Sequence, residues 1–231
     1  MSTTYLSIVN SILIKINEVQ LTASTFNSAL GVHAMVKEGV IDTINKINQT
    51  ENVKWPFYAV EQTVPLVAGT QEYAWPSNFA SVDWKSFQIQ KDDTLGIRNS
   101  FLTVIEREQW YRYLRDNDYD ARPNGIRIPE LVFSTHGNGF GLSPSPDRDY
   151  TLKYRYFKNP VVPTLSTDEI PTPAQFDYLI KAFGLYQGYL FYDNNELSQI
   201  AMTDRDQGVK DMVRVMIGNN FEHVYAGVVD V

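Results

Sequence analysis

Residues Tyr150–Phe157 read YTLKYRYF, and this stretch carries the clearest strand pattern in the sequence. One face carries large apolar or aromatic side chains and the other carries polar ones: Tyr150, Leu152, Tyr154 and Tyr156 against Thr151, Lys153 and Arg155. Strict alternation over this length predicts a half-buried β-strand. The sequence on both sides of it shows how far the sheet region extends.

The strand pattern extends over residues 55–167, where short apolar runs are separated by the turn-forming residues Gly, Pro, Asn and Asp. Two of these runs, 126–134 and 140–142, flank His136–Gly139, which is typical of a hairpin. One helical interruption is predicted near residues 104–115. We therefore expect an inserted antiparallel β-domain, sandwich or barrel-like, with one helix.

Helical patterns precede this β-region. Apolar residues recur at the helical period of about 3.6 from Tyr5 to Val19, and a second stripe runs from Ala29 to Ile47. Gly31 and Gly39 lie inside the second stripe. Because a glycine costs about 1 kcal/mol relative to alanine in a helix, we expect a bend or a close helix–helix contact there.

Two further helices are predicted after the β-region. The third begins at Thr172-Pro173-Ala174-Gln175, a capping-box pattern with proline at the first helical position. The fourth runs from about Glu196 to Met216, and its period predicts Leu197 and Ile200 on the inward face.

The order of helices, strands and helices predicts an α+β fold. Amphipathic helices cannot bury their apolar stripes alone, so the pairs from the two chain ends are natural partners. We predict a discontinuous helical bundle from residues 1–54 and 168–220, with the antiparallel β-domain, residues 55–167, inserted into it. Residues 221–231 form a C-terminal tail.

The composition narrows the classes of function. The 231 residues include no cysteine, which excludes disulfides, thiolate zinc sites and thiol nucleophiles. The formal net charge of −7 argues against tight binding to nucleic acid, which needs clustered Lys and Arg. Neither a secretory signal at the start nor an apolar run approaching the ~18–20 residues of a membrane span is visible. We expect a soluble, acidic globular protein made in the cytosol.

No catalytic pattern is present, since neither a phosphate loop nor a nucleophile elbow occurs. Residues 116–120 begin like a calcium loop, but Ala121 stands where the turn needs glycine and Arg127 where the bidentate Glu belongs. The sequence does not exclude a pair of carboxylates for glycoside cleavage, because the two residues of such a pair are close in the fold and need not be close in the sequence. The three histidines lie far apart: His33, His136 and His223. We predict no enzyme, no cofactor and no metal site.

The aromatic residues are unusually many: 14 Tyr, 12 Phe and 4 Trp. One interpretation is a stacking surface for sugars, with Trp75, Trp84 and Trp110, or for single-stranded nucleic acid, which the net charge disfavours. The other is a hydrophobic core and a subunit interface, where Tyr and Trp are enriched. We favour core and interface.

Several segments together resemble the head-to-tail adaptor proteins of short-tailed bacteriophages, of the tail tubular protein A type. The order and spacing of the segments carry the resemblance. It begins in YLSIVN (5–10), INEV (16–19), NKIN (45–48), WPF (55–57), GTQEY (69–73) and IPELVF (128–133), and is strongest in GLSPSPD (141–147), 150–157 and 173–194.

The resemblance implies a structural virion protein of the tail or neck, without catalytic residues or a membrane partner. It implies a ring, of twelve copies, that joins the portal protein to the tail nozzle protein of the tail tubular protein B type. Genomic DNA would pass through this ring without sequence-specific binding. A neck or tail-completion protein of a long-tailed phage and a tail-associated carbohydrate-binding β-domain are the alternatives.

The C-terminal tail is the predicted partner-binding segment, because it is apolar and has no helical period. It would dock on a neighbouring copy or on the portal as an added strand or extended peptide. A frayed terminus is the alternative. The candidate contact residues are Phe221, Val224, Tyr225, Val228, Val229 and Val231.

Overall fold

The structure is a computed structural model, and it describes residues 3–50, 53–91, 98–113, 128–136 and 138–218. Its helices are, in chain order, α1 (Tyr5–Lys15), α2 (Val32–Asn48), α3 (Arg107–Tyr113), α4 (Asp177–Phe191) and α5 (Asn195–Ile217). Its strands are β1 (Ala59–Leu66), β2 (Glu72–Ala74), β3 (Phe79–Ile89), β4 (Ser100–Phe101), β5 (Thr103–Val104), β6 (Leu131–Ser134), β7 (Gly139–Ser143) and β8 (Tyr150–Lys158). Short 3₁₀ turns lie at Pro56–Tyr58 and Ala174–Phe176.

The prediction of a fold that mixes α and β is confirmed, since the described residues form five α-helices and two four-stranded sheets. The chain divides into two compact units. The helical unit comprises Met1–Phe57 and Pro160–Val231, and the β-unit comprises Tyr58–Asn159. Helix α3 lies in the β-unit.

The bounds of the two units differ from the predicted boundaries after residues 54 and 167. Trp55 lies with the helical residues because its Nε1 donates a hydrogen bond to the carbonyl oxygen of Ile47 at 2.9 Å. The segment before α4 contacts the start of α1, where the backbone N–H of Tyr5 donates to the carbonyl oxygen of Asp168 at 2.8 Å. These two contacts extend the helical unit beyond the stretches with helical periodicity.

Helix α4 is the element that the other helices of the helical unit share, since it contacts α1, α2 and α5. Ile12 lies beside Gly184, and Ile16 lies beside Gly188, so α1 runs parallel to α4. A short turn at residues 192–194 joins α4 to α5, which therefore returns along it in the opposite direction. The buried stripes of the other helices thus meet on α4.

Glycine lets α2 approach α4 closely. A Cβ atom built at Gly39 would lie 2.8 Å from Cγ of Gln187 and 3.0 Å from the carbonyl oxygen of Phe183. It would also lie 3.1 Å from Cα of Gly184, so a side chain here would collide with the backbone of α4. The close contact predicted at Gly39 is confirmed, and α4 is the helix that makes it.

Helix α5 approaches α4 in the same way. A Cβ atom at Gly208 would lie 2.7 Å from Cβ of Leu179. The prediction that Leu197 and Ile200 point inward is wrong, because they are 40% and 52% exposed. The closest approach to α4 is made at Gly208, and Leu197 and Ile200 lie outside the face that contains it. The buried residues of α5 are Ser198, Ala201, Arg205, Gly208 and Met212.

Two predicted helix bounds are also wrong. Helix α1 does not continue to Val19, because Asn17 adopts a φ of 60° and the N–H of Glu18 donates to the carbonyl oxygen of Leu13 at 2.8 Å. This backbone reversal closes the helix. Gly31 lies just before α2, with a φ of 59° that favours glycine, and not inside it.

The capping box predicted at Thr172 does not form. Pro173 is extended, with a ψ of 138°, and α4 begins only at Asp177 after a 3₁₀ turn. The buried hydroxyl of Thr172 has no hydrogen-bond partner among the described residues. Instead, the hydroxyl of Thr3 donates to the carboxylate of Asp177 at 2.6 Å, in the first turn of α4.

The β-unit contains two sheets, with strand orders β1-β8-β3-β4 and β2-β7-β6-β5. The strand pairs are antiparallel except β5 with β6. The predicted hairpin is confirmed as β6 and β7, which pair from Leu131 opposite Ser143 to Ser134 opposite Phe140. The strand predicted at Tyr150–Phe157 is confirmed as β8, which lies between β1 and β3.

Side chains of both sheets share one hydrophobic core. As predicted, alternate residues of β8 are buried, whereas Thr151 and Arg155 are exposed. The side chain of Phe87 from β3 stacks on Tyr154 at 4.8 Å and meets Phe140 of the other sheet edge-on at 5.2 Å. Aromatic pairs of this kind add about 0.5–1.5 kcal/mol each beyond the burial of their area.

We predict that Gly39→Ala lowers the free energy of unfolding by about 1–2 kcal/mol. The overpacking cost of about 1–3 kcal/mol exceeds the gain of about 1 kcal/mol in helix propensity, because the obstacle is backbone. Gly188→Ala is the matched control, since the nearest atom to its Cβ is the flexible Cδ1 of Ile16 at 3.1 Å. Urea unfolding followed by circular dichroism measures both. Equal effects of the two substitutions would contradict the close contact.

We predict that Tyr154→Phe leaves stability unchanged or raises it by about 1 kcal/mol. The buried hydroxyl of Tyr154 has no partner among the described residues, and burial raises its pKa to about 12. Phenylalanine keeps the stacking and removes the unsatisfied group. Thermal unfolding of the variant is the measurement, and a clear loss of stability would show that the hydroxyl is bonded.

Tyr150→Phe should instead lower stability at pH 7, because the hydroxyl of Tyr150 donates to the carboxylate of Asp147. This hydrogen bond is the main reason why the pKa of Asp147 lies below its ordinary value. The stabilisation is therefore present above the unfolded pKa of about 4 and is lost as the pH falls through the lowered value. Unfolding curves from pH 7 to pH 2 should converge for the wild type and the variant. A difference that persists at pH 2 would contradict this assignment.

Candidate interaction surfaces

The predicted tail contacts cannot be placed by the structure. Residues 116–120, which begin like a calcium loop, also lie outside the described residues. The same holds for all six candidate contact residues: Phe221, Val224, Tyr225, Val228, Val229 and Val231. The surfaces described below therefore come from the rest of the chain.

The tryptophans considered for sugar stacking pack against other aromatic rings. Trp75 stacks on Phe79, with ring centroids 4.4 Å apart. Trp84 is half-buried and stacks on Phe87 at 5.7 Å. Trp110 is buried and stacks on a phenylalanine of β6 at 4.4 Å. A sugar platform needs exposed ring faces, so this arrangement favours the core interpretation.

Within the described part of the chain, no three side chains of the metal-binding types converge on one point. No helix there is long and apolar enough to cross a bilayer.

The first surface is the loop-end patch, formed where α1 and α4 end. Val19 and Leu30 are 77% and 81% exposed in the connection between α1 and α2. Phe191 and Tyr192, also exposed, lie at the end of α4. The hydroxyl of Tyr192 donates to the carboxylate of Glu18, which raises the pKa of Tyr192 and joins the two segments. Exposed apolar groups clustered in this way are typical of a protein–protein contact.

The second surface is the α4–α5 groove, which encloses about 500 Å³. Lys15 and Lys181 line it from α1 and α4, and Asp204 and Asp211 line it from α5. Its apolar lining comprises the buried Ala182 and Ala201, the half-buried Leu185 and the exposed ring of Tyr178. The full lining is Lys15, Tyr178, Lys181, Ala182, Leu185, Ala201, Asp204, Gln207, Gly208 and Asp211.

The positive and negative charges of the groove lie on opposite walls: the lysines on the side of α1 and α4, and the aspartates on α5. Asp211 accepts a hydrogen bond from Nε2 of Gln207 at 3.1 Å, within the α5 wall. Burial, followed by the charge of Asp211, raises the pKa of Tyr178. One wall is thus cationic and the other anionic, an arrangement that favours a partner with charges of both signs.

The third surface is the outer face of the sheet that contains β8. Lys153 pairs with Glu61 at 2.6 Å, and Arg155 pairs with Asp83 at 2.5 Å. The first pair lowers the pKa of Glu61. Because these charges already have partners, and exposed pairs contribute about 0–1 kcal/mol, this face offers less to a partner than the groove.

The sequence alone gave no signal for the groove. Lys15, Lys181 and Asp204 come from three helices that are separated along the chain, and each of them is an ordinary charged residue in its own helix. The exposure of Leu197 and Ile200 could not be predicted from the helical period. The period shows which residues share a face of the helix, but not which face packs against another helix. Only the packing around α4 brings these groups together.

Within the described residues, these features are those of a structural assembly protein with surfaces for partners. The profile of the SU10 adaptor protein family matches residues 3–220 of the chain. No curated protein matches it. The chain therefore belongs to the SU10 adaptor protein family, a family of head-to-tail adaptors of short-tailed phages, which confirms the resemblance read from the sequence.

Family membership makes the protein a structural component of a phage particle. An adaptor associates with head and tail components, so its surfaces are where its function lies. The family is one of structural adaptors and is not a known enzyme family.

Proposed function

We propose that the protein forms the connector ring of a short-tailed phage, joining the portal vertex to the tail nozzle. Twelve copies form the ring, and the genome is ejected through its central hole. The match to the adaptor family over residues 3–220 is the observation that carries this proposal. The protein acts by contact alone and transforms no substrate.

The surfaces of the helical unit are consistent with a ring. A closed ring is built from heterologous contacts, in which each copy uses two different surfaces. The loop-end patch and the α4–α5 groove are two such surfaces, one apolar and one charged. We propose that the helices from both chain ends form one bundle around α4, with the β-domain, as a sandwich, inserted between α2 and α4.

The charge of the chain suits a DNA conduit. Each copy carries a formal net charge of −7, so twelve copies carry about −84. Binding to phosphate depends on clustered cations, and a ring with this charge repels the DNA backbone. The genome would therefore slide through without adhering.

We predict that the purified protein assembles with the portal protein of its phage into a large complex that contains twelve copies. Native mass spectrometry and sedimentation velocity measure its mass, with each protein alone as the control. Two folded proteins that never associate would contradict the proposal. Assembly onto a long-tail tube would favour the neck or tail-completion alternative, and protection of tryptophan fluorescence by host polysaccharide would favour the carbohydrate-binding one.

We also propose that the C-terminal tail binds a neighbouring copy or the portal through its apolar residues. Val229→Asp should weaken assembly by about tenfold or more, because it would bury an unpaired charge in the contact. Glu222→Gln, a change in the same segment outside the proposed contacts, should have little effect. Sedimentation of the mixtures measures both variants. Equal assembly of wild type, Val229→Asp and a chain shortened after residue 218 would show that the tail is a frayed terminus.

A further inference from the structure

We infer that the α4–α5 groove receives helix α2 of a neighbouring copy. The inference rests on the proposed ring and names the pair of surfaces through which its copies meet. Each copy then supplies a groove on one side and a helix on the other, which is the heterologous contact that a ring requires.

The groove is the open side of α4. Around this helix, Gln187 lies toward α2, and Gly184 and Gly188 lie toward α1 and the adjacent side of α2. The ring of Phe183 lies toward α5, under the guanidinium of Arg205. Leu179 lies toward α5. At about 100° per residue, the remaining sector, between α1 and α5, carries the groove residues of α4: Tyr178, Lys181, Ala182 and Leu185.

The open sector has the dimensions of a helix contact. From Tyr178 to Leu185 the groove follows roughly 10 Å of α4, about two helical turns. Small side chains, Ala182 from α4 and Ala201 from α5, form part of its lining. A helix laid there would complete the set of neighbours around α4, at the usual interaxial distance of about 8–10 Å.

The charges of the groove have a definite order along α4. Lys15 lies near the level of Gly184 and Gly188, because Ile12 and Ile16 contact these glycines. Lys181 lies nearer to the start of α4. Asp211 lies at the start itself, because it is close to Gly208 on α5, and Gly208 contacts Tyr178 and Leu179. Asp204 lies on the α5 wall near the level of Phe183, since the adjacent Arg205 lies over the ring of Phe183. Along α4 the order is therefore Lys15, Asp204, Lys181 and Asp211, with both carboxylates on the α5 wall.

Helix α2 carries charges of both signs on its exposed side. Glu38, Asp42 and Lys46 are all exposed and follow one another at four-residue intervals, so they form one ridge. This ridge has the order anion, anion, cation. It lies away from the face of α2 that Gly39 packs against α4, so the ridge and the groove lie on different sides of the helical unit.

Charge complementarity also sets the direction of the docked helix. With α2 antiparallel to the neighbour's α4, Glu38 meets Lys15, Asp42 meets Lys181 and Lys46 meets Asp211. In this direction Asp204 is the one groove charge that faces like charges, so three attractive pairs outweigh one repulsion. The opposite direction places Lys46 beside Lys15 and Glu38 beside Asp211, where like charges repel. The half-buried Ile41 and Ala34, beside the ridge, add apolar contact.

The test is a charge-reversal cycle in the full chain. Lys181→Glu alone and Asp42→Lys alone should each weaken assembly by about tenfold or more, because each places like charges together. The double variant, Lys181→Glu with Asp42→Lys, should recover most of the loss, since it restores the pair with its signs exchanged. Lys210→Glu, an exposed position of α5 outside the groove lining, is the matched control and should assemble as the wild type does.

Assembly is measured by sedimentation velocity and native mass spectrometry, with the protein alone and with the portal protein. Circular dichroism verifies that every variant is folded. A wild type that forms rings while both single variants assemble equally well overturns this interface and leaves the proposed ring intact. A wild type that forms no ring under either condition overturns the proposed function together with the interface. Loss in both single variants without recovery in the double variant also overturns the assigned pairing.

Discussion

The close approach of three helices to α4 is the constraint on which the helical unit depends. A packed helix normally keeps its neighbours about 8–10 Å from its axis, and glycine allows the lower part of this range. Gly39 of α2 and Gly208 of α5 supply this clearance, in helices that otherwise carry larger side chains. The stabilisation comes from apolar side chains that interlock around the glycines, so the weak helix propensity of glycine is offset by packing.

The β-unit is organised by β8, which lies between β1 and β3. Its alternation puts aromatic side chains into a core shared by both sheets and puts Lys153 and Arg155 outside, where each pairs with a carboxylate. The large number of aromatic residues is thus explained to a considerable extent by this core. Trp75 and Trp84 are held in ring contacts at this core, and Trp110 stacks separately on Phe133 of β6.

The surfaces of the helical unit connect this architecture with an adaptor role. Because the closest contacts to α4 use small residues, Leu197 and Ile200 of α5 are turned outward, and a sector of α4 stays open as a groove. A monomer gains nothing from these exposed groups. In the proposed ring they would become buried contacts, so the internal packing of one copy determines which surfaces it presents.

The types of element, their order along the chain and the family were all predictable from the residues. Period-two alternation identified β8 together with its buried face, and the order of segments from YLSIVN at residues 5–10 to residues 173–194 pointed to the adaptors. The tertiary structure decided which face of α5 is buried, where α1 ends and what the groove contains. Periodicity shows that one face of a helix is apolar. Which face is buried depends on how closely another helix can approach it. That distance is set by residues such as Gly39 and Gly208, which are remote in sequence from the groups they bring together.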